Sequence, residues 1–402
     1  MQKIKFIHVA DLHLDSPFKG ITTVSKELGK KLKESTFTAF HRVIEKAINE
    51  QVDFVIIAGD IFDLEDRSIR AQVRFKNELN RLIDANIGVF ICFGNHDFVS
   101  NRKSDFHFNE QVVIFGPRPE QKKFHTQAGV DVYLYGFSYD TRHVVDRKIE
   151  QYEKGKEEGF HIGILHGQLE SNKEHDTYAP FTIQELVDKE MDYWALGHIH
   201  KRQVLHMEPP IIYPGNIQGR HKNEQGAKGA YLVELHSKEV KLDFFETSDI
   251  IWETMEIDGS NCATIEQLMD CISQQKEKIR SHVSKMIHLK VSNVCSTLEI
   301  SSVQLDELIF ALNEEEDMDE LFINIFEIEV ERNWELSSMF TNSEFYQRLF
   351  QPLNNEDTKK NLIEYIQPKH AKRLGLQLED FETIEKRADD RLKQFLSKGG
   401  VL

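Results

Sequence analysis

Positive charge is scarce in this 402-residue chain: 50 Lys and Arg stand against 67 Asp and Glu, for a formal net charge of −17. Phosphate binding normally relies on basic surface, so the balance taken whole argues against a protein that coats nucleic acid or an anionic membrane. Cysteine is sparse as well. Cys92, Cys262, Cys271 and Cys295 form no C-x-x-C pair and no secreted-framework spacing, which predicts reduced thiols in a cytoplasmic protein. No apolar run approaches the roughly 18 residues of a membrane span. The first residues run straight into a strand pattern with charges inside it, so no signal peptide is expected. Gly (21) and Pro (9) are few beside a hydrophobic fraction of 40%, which excludes disorder as the main state. Internal repeats and low-complexity segments are absent.

Histidine, by contrast, is plentiful, with 18 residues, several beside Asp, Asn or Gly at the ends of apolar runs. Those runs are Ile4–Val9, Phe54–Ala58, Val89–Phe93, Val132–Gly136, Ile162–Leu165, Tyr193–Leu196 and Ile211–Tyr213. Rich in β-branched and aromatic residues and bounded by Gly, Asp or His, they predict buried strands. Phe40, Val43, Ile44, Ala47 and Ile48 repeat at helical spacing between the first two. The sequence therefore predicts an α/β layered sandwich, with central sheets flanked by helices, over residues 1–247. Residues 248–333 read as a small βαβαβ cap domain, with helices predicted over Thr264–Ser284 and Val303–Leu312. Residues 334–402 read as a helical segment. Its stripe of Phe381, Ile384, Ala388 and Phe395, interrupted by Arg391, suits a partner helix as well as it suits packing on the chain itself.

Five short segments each follow an apolar run: Asp11-Leu12-His13, Gly59-Asp60, Gly94-Asn95-His96-Asp97, His166-Gly167 and Gly197-His198-Ile199-His200. In an α/β sheet the carboxyl ends of strands open into the crevice where ligands bind, so the five are expected to converge. Singly, each residue would more often be a turn, cap or satisfied core residue. Jointly they offer two carboxylates, one Asn carbonyl and four imidazoles, a set that suits Mn²⁺, Fe²⁺ or Zn²⁺ and suits Ca²⁺ poorly. Seven such groups exceed one tetrahedral ion and fit two if a carboxylate bridges.

In order and residue type the segments resemble the signature of the calcineurin-like metallophosphoesterases. That resemblance implies that Asp11, His13 and His200 hold one metal, that Asn95, His166 and His198 hold the other, and that Asp60 bridges. It makes His96 the non-ligand histidine beside the scissile phosphate, with Asp97 orienting it. The blocks His8–Asp15, Gly59–Asp63, Gly197–His200 and Tyr213–Asn216 further resemble the SbcD-type DNA-repair exonucleases, YhaO-type bacterial members included. This likeness implies a Mn²⁺-dependent DNA nuclease, a homodimer, and C-terminal helices that dock on an SbcC-type, SMC-like ATPase. The alternative is a phosphodiesterase of small cyclic or dinucleotides. Arg220, His221 and Lys222 follow the last strand-end block, where they could grip substrate phosphates or form a solvated loop.

The acidity is unevenly spread. Residues 301–350 hold 13 acidic and 2 basic side chains, so the negative charge belongs mainly to the cap and does not exclude DNA from the crevice. Two bound divalent ions would also reverse the sign set by Asp11 and Asp60.

Overall fold

The seven apolar runs become the inner strands of two six-stranded sheets. In one, β1 (Lys3–Val9), β2 (Phe54–Ala58), β3 (Gly88–Cys92) and β4 (Val112–Ile114) run parallel. On the β1 side this sheet is extended by antiparallel β11 (Gly229–His236) and β12 (Val240–Glu246). In the other, β6 (Asp131–Gly136), β7 (Phe160–His166), β8 (Tyr193–Gly197) and β10 (Pro210–Tyr213) run parallel between antiparallel edges β5 (Glu120–His125) and β9 (Gln203–Met207). This computed structural model describes residues 2–331 apart from 17, 19–24, 64–67, 99–107, 171–177, 237–238, 295–297, 299, 315 and 317–319. The C-terminal segment 334–402 and its apolar stripe lie outside the described residues.

The sheets stack face to face. Phe6, Phe54, Ile56 and Phe90 of one meet Leu134, Ile162, Ile164 and Tyr193 of the other in a buried core. Helices α1 (Lys26–Asn49) and α2 (Ile69–Asp84) cover the outer face of the first sheet, and the short α3 (Ile183–Asp188) lies over Trp194 and Leu196 on the second. The predicted face of α1 is buried as Phe40, Val43, Ile44 and Ala47. Caps fix the helix starts: Ser25 accepts from Leu28 N, Ser68 from Ala71 N, and Thr182 with Glu185 forms a capping box. The result is the expected layered α/β sandwich.

The predicted βαβαβ order follows as β13 (Ile250–Asp258), α4 (Ile265–Lys278), β14 (Ser284–Ser292), α5 (Ser302–Glu314) and β15 (Ile323–Val330). Its sheet has the order β13-β14-β15. Helix α4 stops short of the predicted Ser284. Its buried stripe of Leu268, Ile272 and Lys276 ends there, Arg280 pairs with Glu277 and Glu316, and Ser284 opens β14 instead. Most of both regions falls in one compact unit, Met1–Ile257 with Ala263–Val291 and Glu299–Glu329. Within it Trp252, Met286 and Phe326 pack with Leu28 and Leu32 of α1. Among the described residues no helix is long and apolar enough to cross a membrane.

One polar residue between the sheets makes folding sensitive to pH. His8 on β1 is fully buried, with Nε2 donating to Leu196 O at 3.0 Å and Nδ1 accepting from the Tyr193 hydroxyl at 3.0 Å. Burial pushes its pKa down from 6.5 to about 3. The unfolded chain therefore takes up a proton at this site first, and the stability it contributes is complete above pH 6.5 and is lost as pH falls below that value. From pH 6.5 to about pH 5 the metal-free protein should lose about 2 kcal/mol more than a His8→Gln variant. Denaturant titrations across that range check this, and parallel pH slopes for the two proteins would refute it.

Candidate metal centre

The five strand-end segments do converge. The turns after β1 and β2 run side by side, with Asp11 N donating to Gly59 O, His13 N to Asp60 O and Leu14 N to Ile61 O at 2.8–3.1 Å. Asp11, His13, Asp60 and His198 all adopt positive φ, at 52°, 43°, 51° and 101°. Such conformations cost non-glycine residues about 1–3 kcal/mol each and persist only where the surroundings enforce them. Gly59 (φ 94°) is required for a second reason, because a Cβ there would fall on the His166 ring.

All seven candidate ligands are brought together, in two groups that share Asp60. Asp11, His13, Asp60 and His200 offer ligand atoms within 4.8 Å of one another, and so do Asp60, His166 and His198. Asn95 joins the second group, its Oδ1 lying 3.0 Å from His166 Nε2 and 3.2 Å from His198 Nδ1. His166 Nε2 stands 3.4 Å from Asp60 Oδ2, and His13 Nε2 stands 3.8 Å from the same oxygen.

The hydrogen bonds show what the site is built to hold. His13 Nδ1 lies 3.0 Å from Asp63, His200 Nδ1 lies 2.7 Å from Glu224, and His166 Nδ1 lies 2.9 Å from the Ala58 carbonyl. Ionised carboxylates and carbonyls only accept, so each ring donates through Nδ1 and turns Nε2 toward the centre. The Nε2 atoms of His13 and His200 then face each other at 3.0 Å, and His166 Nε2 faces Asn95 and Asp60 oxygens. A ring held by its far nitrogen is the usual state of a ligating histidine, and a cation set among these Nε2 atoms and oxygens would satisfy them together. The residues present therefore fit two divalent ions with nitrogen and oxygen ligands.

Charge follows the same logic. Burial, with the nearby Arg220 charge, takes His13 down to about 3, and burial with the His166 charge takes His198 well below its ordinary value. Both rings are thus neutral and ready to ligate. His166 moves the other way, to about 9: burial opposes its charged form, but the Asp60 carboxylate outweighs burial. A metal ion would take the place of that proton, so binding there should release one. Burial raises Asp11, whereas Asp60 is held well below the usual range against its own burial, chiefly by His166.

Two positioning carboxylates escape a reading of the sequence. Glu224, itself buried, orients His200, and Asp63 orients both His13 and His96, with its Oδ1 2.8 Å from His96 Nδ1. This corrects the expectation for Asp97. The Asp97 carboxylate accepts from the backbone amides of Gly94 (2.8 Å), Ile61 (2.6 Å) and Phe62 (3.4 Å), so it ties the β2 and β3 turns together. The three basic candidates all have protein carboxylate partners: Arg220 reaches Asp63 (3.3 Å), His221 reaches Glu224 (3.3 Å) and Lys222 reaches Glu327 on β15 (3.1 Å). A Glu224→Gln variant should bind metal about 10- to 100-fold more weakly at the His200 group, by loss of the charge that fixes the ring. Equilibrium dialysis against Mn²⁺ measures this, and an unchanged isotherm would refute the role.

The family model described as calcineurin-like phosphoesterase matches residues 4–202. An uncharacterized metallophosphoesterase of Bacillus subtilis, YhaO, is 36% identical over 404 residues, covering 98% of this chain and 98% of the relative. The DNA double-strand break repair protein Mre11 of Thermoplasma acidophilum is 27% identical over 59% of this chain and 63% of the relative. Mre11 of Sulfolobus acidocaldarius is 26% identical over 72% of this chain and 75% of the relative.

Proposed function

The chain belongs to the calcineurin-like phosphoesterase family, a family of metal-dependent hydrolases, and we propose that it hydrolyses the phosphodiester bonds of DNA. The observation that carries this reading is the pair of ligand groups sharing Asp60, with His96 beside them. Similarity to proteins named for DNA double-strand break repair supports DNA as the substrate, at lower identity than the match to YhaO.

Two bound ions, Mn²⁺ in this reading, would supply an activated water and offset the charge of the phosphate oxygens. The chain's own residues do the rest. Asp60, Asp11, His13 and His200 on one side and Asn95, His166 and His198 on the other fix where the phosphate can sit. His96 packs edge-on to His13 at 5.1 Å and is 36% exposed, so it is open to substrate. With Nδ1 bound to Asp63, its Nε2 is the nitrogen that stabilises the developing charge or gives a proton to the leaving alkoxide. In this reading Arg220, paired with Asp63 and 3.4 Å from His200 Nδ1, adds positive charge beside the centre.

The same reading assigns residues 1–247 to catalysis, 248–333 to a cap and 334–402 to docking on an SMC-like ATPase. It also takes the working form to be a homodimer. The test is an assay of the purified protein with Mn²⁺ on linear duplex DNA, single-stranded DNA and 2′,3′-cyclic nucleotides, with and without a co-expressed SMC-like ATPase. Degradation of DNA is expected. Hydrolysis of the small substrates alone, in both preparations, would replace the nuclease reading with that of a nucleotide phosphodiesterase.

A further inference from the structure

The turn from Gly219 to Gly226 touches the metal centre on one side and the cap on the other. Toward the centre it carries Glu224, whose Oε1 holds His200 Nδ1 at 2.7 Å. Its Oε2 accepts from Asn216 Nδ2 (2.9 Å) and Arg220 N (2.8 Å), so the carboxylate is fixed from both ends. Toward the cap, one residue of β13 grips both ends of the turn. The indole Nε1 of Trp252 donates to Gly219 O at 2.9 Å, and Gly226 N donates to the Trp252 carbonyl at 2.9 Å. Gln225 Nε2 donates to Thr254 Oγ1 at 2.8 Å, and Lys222 pairs with Glu327 of β15. Trp252 is 1% exposed and packs against Phe326 at 5.0 Å.

We propose that β13 of the cap, through Trp252 and the Gly219–Gly226 turn, positions His200 and so sets the affinity of one of the two metal sites. The inference rests on the two-ion reading above and adds a dependence of that reading on the cap. A ligating imidazole must be held within about 0.5 Å and 10–20° of its working geometry. Here that precision comes from Glu224, and Glu224 is placed by a turn whose anchors lie on the cap sheet. Among the described residues the second group is held from elsewhere: His166 by the Ala58 carbonyl, and His198 Nε2 lies 3.3 Å from Gln168 Oε1, both outside the cap. A ligand or partner that shifts β13 would therefore loosen one ion and leave the other in place. Trp252 is a positioning residue in this scheme.

The test uses the full chain with Trp252→Phe, which keeps an aromatic ring and deletes the indole N–H. Mn²⁺ calorimetry should resolve two sites, one weakened about tenfold and one unchanged, since loss of an outer partner costs a ligating histidine about 10- to 100-fold. The visible spectrum of the Co²⁺-loaded protein should change in intensity as one coordination sphere distorts. A second variant, Lys222→Ala with Gln225→Ala, loosens the same turn from the surface without opening a cavity, and should act in the same direction with smaller effect. It decides the matter if Trp252→Phe does not fold. Wild-type affinities at both sites in folded variants would overturn the proposal. Equal weakening of both sites would overturn it too, because that reports general loosening. The readout is metal binding, so absence of DNA cleavage by the wild type would count against the substrate alone.

Discussion

An Asp60→Asn variant is expected to lose at least about 10³-fold in kcat/KM toward any phosphodiester, on the order of 4 kcal/mol of transition-state stabilisation. Asp60 is the one residue common to both ligand groups, so neither ion keeps its full set without it. The amide has the same shape but carries no charge, and the site would lose half of the carboxylate charge that Asp11 and Asp60 set against two dications. Metal binding should weaken at both sites, in contrast to the single-site effect expected for Glu224→Gln. The backbone is less affected, since the amide oxygen can still accept from His96 N, now 3.0 Å from Asp60 Oδ1. Calorimetry with Mn²⁺ and turnover of a chromogenic phosphodiester measure the two effects, with circular dichroism as the check on folding. Retention of full activity would undermine the metal centre as a whole.

Local signals in the chain are strong where burial is complete. The inner parallel strands are covered on both faces, so β2, β7 and β8 are buried at every position and carry the apolar runs Phe54–Ala58, Ile162–Leu165 and Tyr193–Leu196. Strands β5 and β12 lie at sheet edges, where burial alternates and sequences such as Glu120–His125 carry five polar residues of six. Their pairing is set by neighbours distant in sequence, which no local pattern encodes. The same division runs through the site. Ligands at strand ends sit in short blocks that can be read in order, and the structure brings all seven together. The residues that aim them are related by tertiary geometry only: Asp63 lies 50 positions from His13, and Glu224 lies 24 from His200. Asp97 illustrates the error this invites, because adjacency to His96 in sequence suggests a partner, whereas the turn points its carboxylate at three backbone amides. The basic cluster Arg220–Lys222 carries no local signal for its partners, and its side chains meet Asp63, Glu224 and Glu327.

His96→Ala should separate chemistry from metal binding. His96 is adjacent to Asn95 in sequence, yet its side chain belongs to neither of the two groups that share Asp60; it meets Asp63 and His13 instead. Deleting the ring should therefore leave both ions bound at wild-type affinity and lower kcat by about 10²–10⁴-fold, the range of a positioned acid or base. The pH profile carries further information. Burial disfavours the charged ring, but the Asp63 hydrogen bond and the Asp60 charge outweigh it, so the His96 pKa stands above 6.5. Bound ions would take up the Asp60 charge, so in the loaded enzyme the Asp63 hydrogen bond is what favours the charged ring; if that ring is the working form, activity should fall as pH rises through the His96 pKa. Asp63→Asn removes the charge that raises it, so the alkaline limb should move to lower pH, measured at saturating metal because Asp63 also orients His13. A leaving group of low pKa, such as p-nitrophenolate, needs no proton, and against it the His96→Ala loss should shrink. A loss that stayed the same for good and poor leaving groups would show that His96 stabilises charge on the phosphate and does not protonate the leaving oxygen. Parallel loss of metal would show instead that the ring is a ligand, and the division of the site into two ion-binding groups and a free acid would have to be redrawn.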